Sequence, residues 1–488
     1  MTRLSKGSIT SLQRDAQTDI MMVPLHGEPE TSVNSSCEEL EAMEDETEQP
    51  DNILQEPLRL LHGFLKVMGV GPQNYDEVAG EYKVSWRSAG AMHTLVTAFC
   101  MVALTATTIF GLSRYTIVTA PTAPPEDEHT RSMKVIGVVI VAGYQVNALV
   151  QVLNTIRAGR CLCRLLNTWN HLGVKEAINP TKGLYTKSCV QVGFMVAFIL
   201  VMLMVTVAEQ PVFLSQVLDG LAERMFLVPR SCLVQATLLA KGGGGAPHIP
   251  SIPCPQVTRV VVCTVALHQF AINKGYVFAF TTHCHLLSTG VAIWNTQLAS
   301  ALDEVWGRGC GGELGRLVHR RHLLVGLVRD TQFVFSPVLQ FYFSSTVVIV
   351  CTELYLLAKN VGSGAYRVEE LVILVLLTLQ TFWLLVHVSL AAGAVQEQAN
   401  GSGDVLARGL PHYASDADKF NVGELTRALI IAPAYITGGN FFIINRSFIL
   451  TVMSVVASYF IVILQFMQSC STSGNNCVPT NLTLEVST

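Results

Sequence analysis

The residues best placed to do chemistry sit near the carboxyl end. Read as a helix at about 100° per residue, Ser447, Thr451, Ser454, Ser458, Val462, Gln465 and Ser469 fall within an arc of roughly 80°. Six of these seven are polar, and the rest of the segment, apart from Gln468, is Phe, Ile, Leu, Val, Met, Ala and Tyr. A hydroxyl stripe on an otherwise lipid-soluble helix faces either water or another helix. Small polar residues suit close helix packing, with hydroxyls bonding across the contact. They equally suit the wall of an ion pathway. Gln465 favours the pathway, because a long amide packs poorly and needs partners in hydrocarbon.

A second group could hold a small molecule. Recognition sites are mainly apolar and aromatic, with a few polar groups that fix orientation. Tyr144 with Gln145, His268 with Gln269, Glu353 with Tyr355, and Gln380 with Trp383 lie in or beside apolar segments. Each alone also reads as an interhelical hydrogen bonder. Glu353 is the most pointed candidate, at the outer end of its segment, where it could instead face water in the following loop. No nucleotide-binding loop, catalytic triad or metal-ligand spacing stands out, so neither enzymatic activity nor a cofactor or metal is expected.

The elements that must position these residues follow from composition. Half of the 488 residues are hydrophobic and only 14% are charged, with mean hydropathy +0.42. A soluble domain carries about 25% charge. The net charge of −4 gives no sign of a nucleic-acid partner. Seven segments approach the roughly 20 apolar residues that a bilayer crossing needs: 88–112, 135–156, 188–208, 260–295, 331–352, 371–395 and 448–467. The fold class expected is therefore an all-α membrane protein with seven transmembrane helices. The fourth segment, interrupted only by Lys274, is longer than a crossing requires and is expected to continue as helix into the water. Met225–Ala240, broken by Pro229 and Arg230, reads as packed loop or interfacial helix. Ala428–Asn445, with Pro433 and the pair Gly438–Gly439, reads as a short helix and a turn into the last span.

Residues 1–57 lack periodicity, and the stretch Cys37–Glu56 carries nine acids. That composition cannot bury enough apolar area to offset ordering, so a disordered tail is expected, with an acidic docking segment as the alternative. The expected domains are this tail, a helical region 58–425, a seventh-helix region 426–469 and a tail 470–488. Lys and Arg number 15 in the loops after spans two, four and six against 9 after spans one, three and five. That bias puts the amino terminus in the cytosol and the carboxyl terminus outside. A G-protein-coupled receptor has the opposite orientation. No Asp-Arg-Tyr follows the third span, and Asn179–Pro180 lies in a loop. A transporter would show internal repeats and broken helices; only Pro337 interrupts a span.

The run Ser458-Tyr459-Phe460-Ile461-Val462-Ile463-Leu464-Gln465-Phe466 resembles the carboxyl-terminal signature of arthropod gustatory receptors, relatives of the insect odorant receptors: Thr-Tyr, five mostly hydrophobic residues, then Gln-Phe. Tyr459, Gln465 and Phe466 match in spacing, while Ser458 stands for the usual Thr and keeps the hydroxyl. The resemblance implies a tastant-gated, nonselective cation channel in the plasma membrane of sensory neurons. It further implies four identical or different subunits around a pore lined by the seventh helix. Gln465 and Phe466 would form the constriction, and the ligand pocket would lie among the outer halves of spans two to six. The implied partners are a small-molecule tastant, cations, membrane lipids and further receptor subunits.

Under this topology Cys470 with Cys477, or Cys232 with Cys254, could pair in the oxidising exterior, and Asn481 begins an external glycosylation sequon. Cys161 and Cys163 would face the cytosol as reduced or lipidated thiols.

Overall fold

The computed structural model describes residues 55–76, 80–117, 128–175, 254–308, 313–363, 368–410, 414–431 and 434–472, with scattered positions at 186–197 and 412. Its elements are α1 (Gln55–Val67), β1 (Gln73–Asp76), β2 (Glu81–Val84), α2 (Ala89–Ile117), α3 (Glu128–Lys175), α4 (Cys254–Arg308), α5 (Leu314–Ser363), α6 (Val368–Leu406), α7 (Asp416–Ile431), β3 (Thr437–Gly438), β4 (Phe442–Ile443) and α8 (Arg446–Thr472). Six of the expected apolar segments fall inside α2, α3, α4, α5, α6 and α8. The segment 188–208 lies almost wholly outside the described residues, as do the acidic tail up to 54, Met225–Ala240, Cys232, Cys477 and Asn481.

Among the described residues four helices contain stretches long and apolar enough to cross a membrane: Ala89–Ile109, Thr264–Trp306, Leu314–Lys359 and Leu374–Leu406. A shorter apolar run covers Arg446–Val462 in α8. Helix α2 shows how such a helix is built. Ala91, Thr94, Ala98, Met101, Thr105 and Thr108 are buried, whereas Val96, Phe99 and Ile109 are exposed. Small and hydroxyl residues thus face the bundle and large apolar ones face outward, the reverse of a soluble helix. Thr94 and Thr105 return their hydroxyls to Gly90 O (2.9 Å) and Met101 O (2.8 Å).

Helix α4 runs through the middle. Phe278, Phe280, Leu286, Leu287, Val291 and Leu298 are all almost fully buried. Its 55 residues span about 80 Å at about 1.5 Å each, well beyond about 30 Å of hydrocarbon. The expected surplus length is present as one unbroken helix.

Helix α5 carries Pro337 in its interior. Proline has no N–H and crowds the carbonyl four residues back, here Phe333 O. That acceptor is taken by Arg157 Nη2 of α3 at 3.1 Å, with the guanidinium 4.6 Å above the Phe333 ring. The next carbonyl, Val334 O, receives Asn154 Nδ2 (2.6 Å) and Tyr276 OH (3.3 Å). The break in the α5 ladder is therefore closed by α3 and α4, which ties the three longest helices together at one level.

Helix α1 and the β1–β2 hairpin were not foreseen. Helix α1 starts at Gln55, inside the stretch read as lacking periodicity. It buries Leu61 and Leu65, and Gly275 of α4 leaves room for Phe64 and Leu65. It ends at Gly69 (φ +74°), whose missing Cβ keeps clear of Thr97 Oγ1. The hairpin pairs Gln73 with Val84 through Asp76 with Glu81. Asn167 of α3 grips it by accepting from Tyr82 N (2.7 Å) and donating to Tyr82 O (3.1 Å).

His62 of α1 is buried edge-on to His283, with ring centroids 5.9 Å apart. Burial, and secondarily the His283 charge, lower its pKa from 6.5 to about 3. The docked helix therefore holds His62 neutral. That stability is complete above about pH 6.5 and is lost as pH falls towards the folded value. Hydrogen exchange of the α1 amides should accelerate about 30-fold on going from pH 7 to pH 5, after correction for intrinsic rates. His62→Phe should remove this dependence; an unchanged dependence in that variant would assign it elsewhere.

Candidate functional site

Helix α8 begins at a short hairpin wedged against α5. Strands β3 and β4 pair Thr437 with Ile443 and Gly438 with Phe442, and Gly439 and Asn440 adopt φ +60° and +63° in the turn between them. Glycine and asparagine tolerate that left-handed region. Gly439 N donates to Ser336 O (3.0 Å) and to Ser336 Oγ (2.8 Å). Gln332 Nε2 donates to Thr437 Oγ1 at 2.6 Å. Phe442 stacks on Phe448 at 4.6 Å, and Phe343 of α5 meets both rings edge-on at 5.7 and 4.9 Å. Asn445 caps α8 by accepting from Phe448 N at 3.0 Å, as an N-cap side chain does. Arg446 grips Glu397 of α6 at 2.8 Å. Of the short helix and turn expected over Ala428–Asn445, the turn is present as this hairpin, whereas the only helical residues described there, 428–431, are the end of α7 (Asp416–Ile431).

The orientation of α8 follows. Val452 and Val456 are buried, at 6% and 5% exposure, with Phe448, Ile449, Phe460 and Leu464 half-buried beside them. This packed stripe lies roughly 160° around the helix from the hydroxyl stripe, at about 100° per residue. Ser447, Thr451, Ser454, Ser458, Val462 and Gln465 are all exposed, as is Tyr459. Packing of the hydroxyl edge within its own chain, one of the two readings of the sequence, does not occur for these residues. The side chains of Phe466, Ser469, Cys470 and Cys254 lie outside the described set.

A polar cluster occupies the bundle interior where α3, α4, α5 and α6 meet. The Lys274 ammonium lies over Tyr144 (5.6 Å) and Phe270 (5.1 Å) and interacts with the Glu353 charge. Glu353 is hydrogen-bonded to Thr378, and Tyr144 to Thr381. Asn273 donates to Tyr144 O (2.8 Å) and accepts from Gln151 Nε2 (3.0 Å). Gln145 accepts from Thr108 at 3.0 Å, and Asn147 donates to Ser345. Lys274 and Glu353 are 2% and 1% exposed, so Glu353 does not face loop water. Several atoms still lack a hydrogen-bond partner among the described residues: Glu353 Oε2, and Nε2 of Gln145, Gln269 and Gln380. Burying such groups unsatisfied is costly, which marks the cluster as a candidate recognition site.

Of the candidates, Tyr144 and Glu353 come together, and Gln145 and Gln269 are buried on the same two helices as Tyr144 and Lys274. His268 points elsewhere, its Nε2 3.1 Å from Met68 O. Trp383 is half exposed and stacks on His387 at 5.1 Å, and Tyr355 is half-buried. Sequence reading passed over Lys274, Gln151, Asn154, Asn273 and Tyr342. The signal was present in α3: Tyr144, Asn147, Gln151 and Asn154 recur at spacings of three and four, one helical face. A cavity among α1, α3, α4 and α5, lined in part by His62, Tyr276 and Phe335, has about 20 Å³ of space. That fits one water and is far too small for a small-molecule ligand.

The family described as 7tm Chemosensory receptor matches residues 58–469. The chain belongs to this family. A comparison with curated proteins finds no match. Among solved structures, the insect olfactory receptor OR5 from Machilis hrabei is similar, with TM-score 0.57 and 17% identity over 85% of this chain and 100% of that one. The same receptor in complex with eugenol is similar at TM-score 0.51 and 16% identity, with the same coverage. At these identities the likeness is one of fold. The chain is thus a multi-pass membrane protein of a chemosensory receptor family, not an enzyme, folded like an insect olfactory receptor. Within that family the hydroxyl edge of α8 and the cluster around Lys274 are this chemosensory receptor's two candidate sites.

Proposed function

We propose that this chain is a subunit of a gustatory receptor that is itself a tastant-gated, nonselective cation channel of the plasma membrane. In this reading seven helices cross the membrane from a cytosolic amino terminus, and four subunits surround a pore lined by α8. The observation that carries it is the solvent-exposed hydroxyl edge. Ser447, Thr451, Ser454, Ser458 and Gln465 are exposed on the side of α8 away from its own bundle. A polar edge in hydrocarbon is unstable, so it needs either water or other subunits around a hydrated axis. The fold shared with the olfactory receptor OR5, one structure of which holds eugenol, supports a small-molecule ligand. The cluster around Lys274, Tyr144 and Glu353 is the proposed site for it, with Gln145, Gln269 and Gln380 supplying unsatisfied donors.

The coupling runs along α5. That helix carries Tyr342 and Glu353 of the cluster and, within two turns of Tyr342, Ser336, Gln340 and Phe343, which hold the root of α8. Ligand contacts that shift α5 would bias the α8 tilt and hence the aperture.

Heterologous expression tests this reading. Tastant-evoked current should persist with G-protein signalling blocked. Ser458→Cys should make it sensitive to water-soluble thiol reagents added from outside. Gln465→Ala should change unitary conductance or relative cation permeability at least twofold. A Gln465→Ala channel indistinguishable from the parent, with Ser458→Cys inert to reagent, would remove α8 from the pore. Epitope tags at the two termini, probed on intact cells, should show only the carboxyl-terminal one outside.

A further inference from the structure

Arg321 lies near the start of α5, outside both candidate sites. It is among the largest fully buried side chains, at 1% exposure. The Trp294 ring covers its guanidinium at 5.3 Å, and the indole is itself fixed by donating to Leu317 O at 3.0 Å. Nε and Nη2 have no hydrogen-bond acceptor among the described residues. These two nitrogens form one of the guanidinium edges that grip a carboxylate or phosphate in bidentate fashion. One α-turn along the helix, Leu324 packs near the edge of Trp169, in the space that Gly290 leaves. The indole Nε1 of Trp169 is likewise buried without an acceptor. This layer is therefore rich in donors that cannot act as acceptors.

Charge compounds the imbalance. Arginine stays protonated in proteins. Described carboxylates close to it in sequence are engaged or outward: Glu313 pairs with Arg316, Asp330 pairs with Arg164, and Asp303 and Glu304 are exposed. A guanidinium walled off from water with its bidentate edge open is among the least tolerable arrangements in a protein interior.

We propose that Arg321 is an oxyanion site: its Nε/Nη2 edge binds a phosphate-class anion within the α3–α4–α5 layer bounded by Trp294. The site stabilises the cytosolic-side helical extensions and is independent of the tastant site and of the pore reading. The anion comes either from solution or from a phospholipid headgroup.

The test uses the full-length receptor purified in chloride buffer and placed in nanodiscs of phosphatidylcholine. Phosphate released on denaturation is measured, and thermal stability is followed with added inorganic phosphate or with phosphatidylinositol phosphate in the disc. Expected is either about one retained phosphate per chain or a rise in Tm of about 5 °C on addition. A response to inorganic phosphate assigns a free ion, and a response only to the phosphoinositide disc assigns a headgroup. Arg321→Lys keeps the charge but loses the fork, and should abolish retention and shift. Arg321→Met, if it folds, should be insensitive to both additives. Absence of retained phosphate and of any shift in the parent protein overturns the proposal, as does a response that survives in Arg321→Lys. Either result would mean that the chain fills the edge itself, or that the anion binds elsewhere.

Discussion

Glu353→Ala should lower receptor stability by on the order of 3 kcal/mol, and adding Lys274→Met should recover most of that loss. Both charges sit in the bundle interior, 1% and 2% exposed, and each acts on the other. Among the described residues, removing the carboxylate leaves the ammonium the faces of Tyr144 and Phe270. Cation–π contacts contribute about 1–2 kcal/mol, too little to offset an unpaired buried charge. Replacing both residues by apolar side chains removes the cost altogether. Fluorescence-detected size-exclusion after heating should show Glu353→Ala melting well below the parent, with the double variant close to it. A double variant no more stable than Glu353→Ala would show that the two charges are not energetically coupled. If the cluster is also the ligand site, the recovered double variant should assemble at the surface yet need at least tenfold more tastant for half-maximal current.

Gly439→Val should abolish ligand-evoked current while leaving the bundle assembled. Any Cβ at Gly439 would lie 2.0 Å from Gln340 Oε1 and 3.0 Å from the Gln340 Cβ. The backbone there has φ +60°, a region costing a non-glycine residue about 1–2 kcal/mol and a β-branched one more. Two separable penalties therefore act on the hairpin that seats α8 on α5. Gln340→Ala removes the clash with Oε1 and Cδ but neither the 3.0 Å approach to Cβ nor the dihedral. Gly439→Ala with Gln340→Ala should thus regain part of the current that Gly439→Ala loses. Surface labelling and whole-cell current, recorded on the same cells, separate misfolding from uncoupling. Normal gating in Gly439→Val would show that the hairpin is not the joint between the two helices.

Much of this arrangement was readable along the chain, and the reasons differ from element to element. Long apolar runs with few charges marked α2, α4, α5, α6 and α8, because hydrocarbon demands continuous apolar length and internal backbone bonding. The surplus length of α4 was visible for the same reason. The hydroxyl stripe on α8 was visible because helical periodicity alone sets which residues share a face. Helix α1 did carry a signal, Leu58, Leu61 and Leu65 at spacings of three and four, but that it docks on α4 at Gly275 and beside His283 depends on tertiary contact. Lys274 looked like a mere interruption of an apolar span, because its meaning depends on Glu353, which belongs to another helix and lies far away in sequence.

Sequence by itself determined which stretches are apolar helix, which edge of α8 is polar, and that Pro337 must leave carbonyls unpaid in α5. Those properties are local: they depend on side-chain type, helical period and the missing proline N–H. Only tertiary structure decided that Asn154, Arg157 and Tyr276 would take up the acceptors around that proline. It alone decided that α8 turns Val452 and Val456 inward and its hydroxyls away, and that Arg321 meets Trp294 instead of a carboxylate. Such outcomes depend on which helices become neighbours, and that choice is made by summed packing over the whole bundle rather than by any one segment.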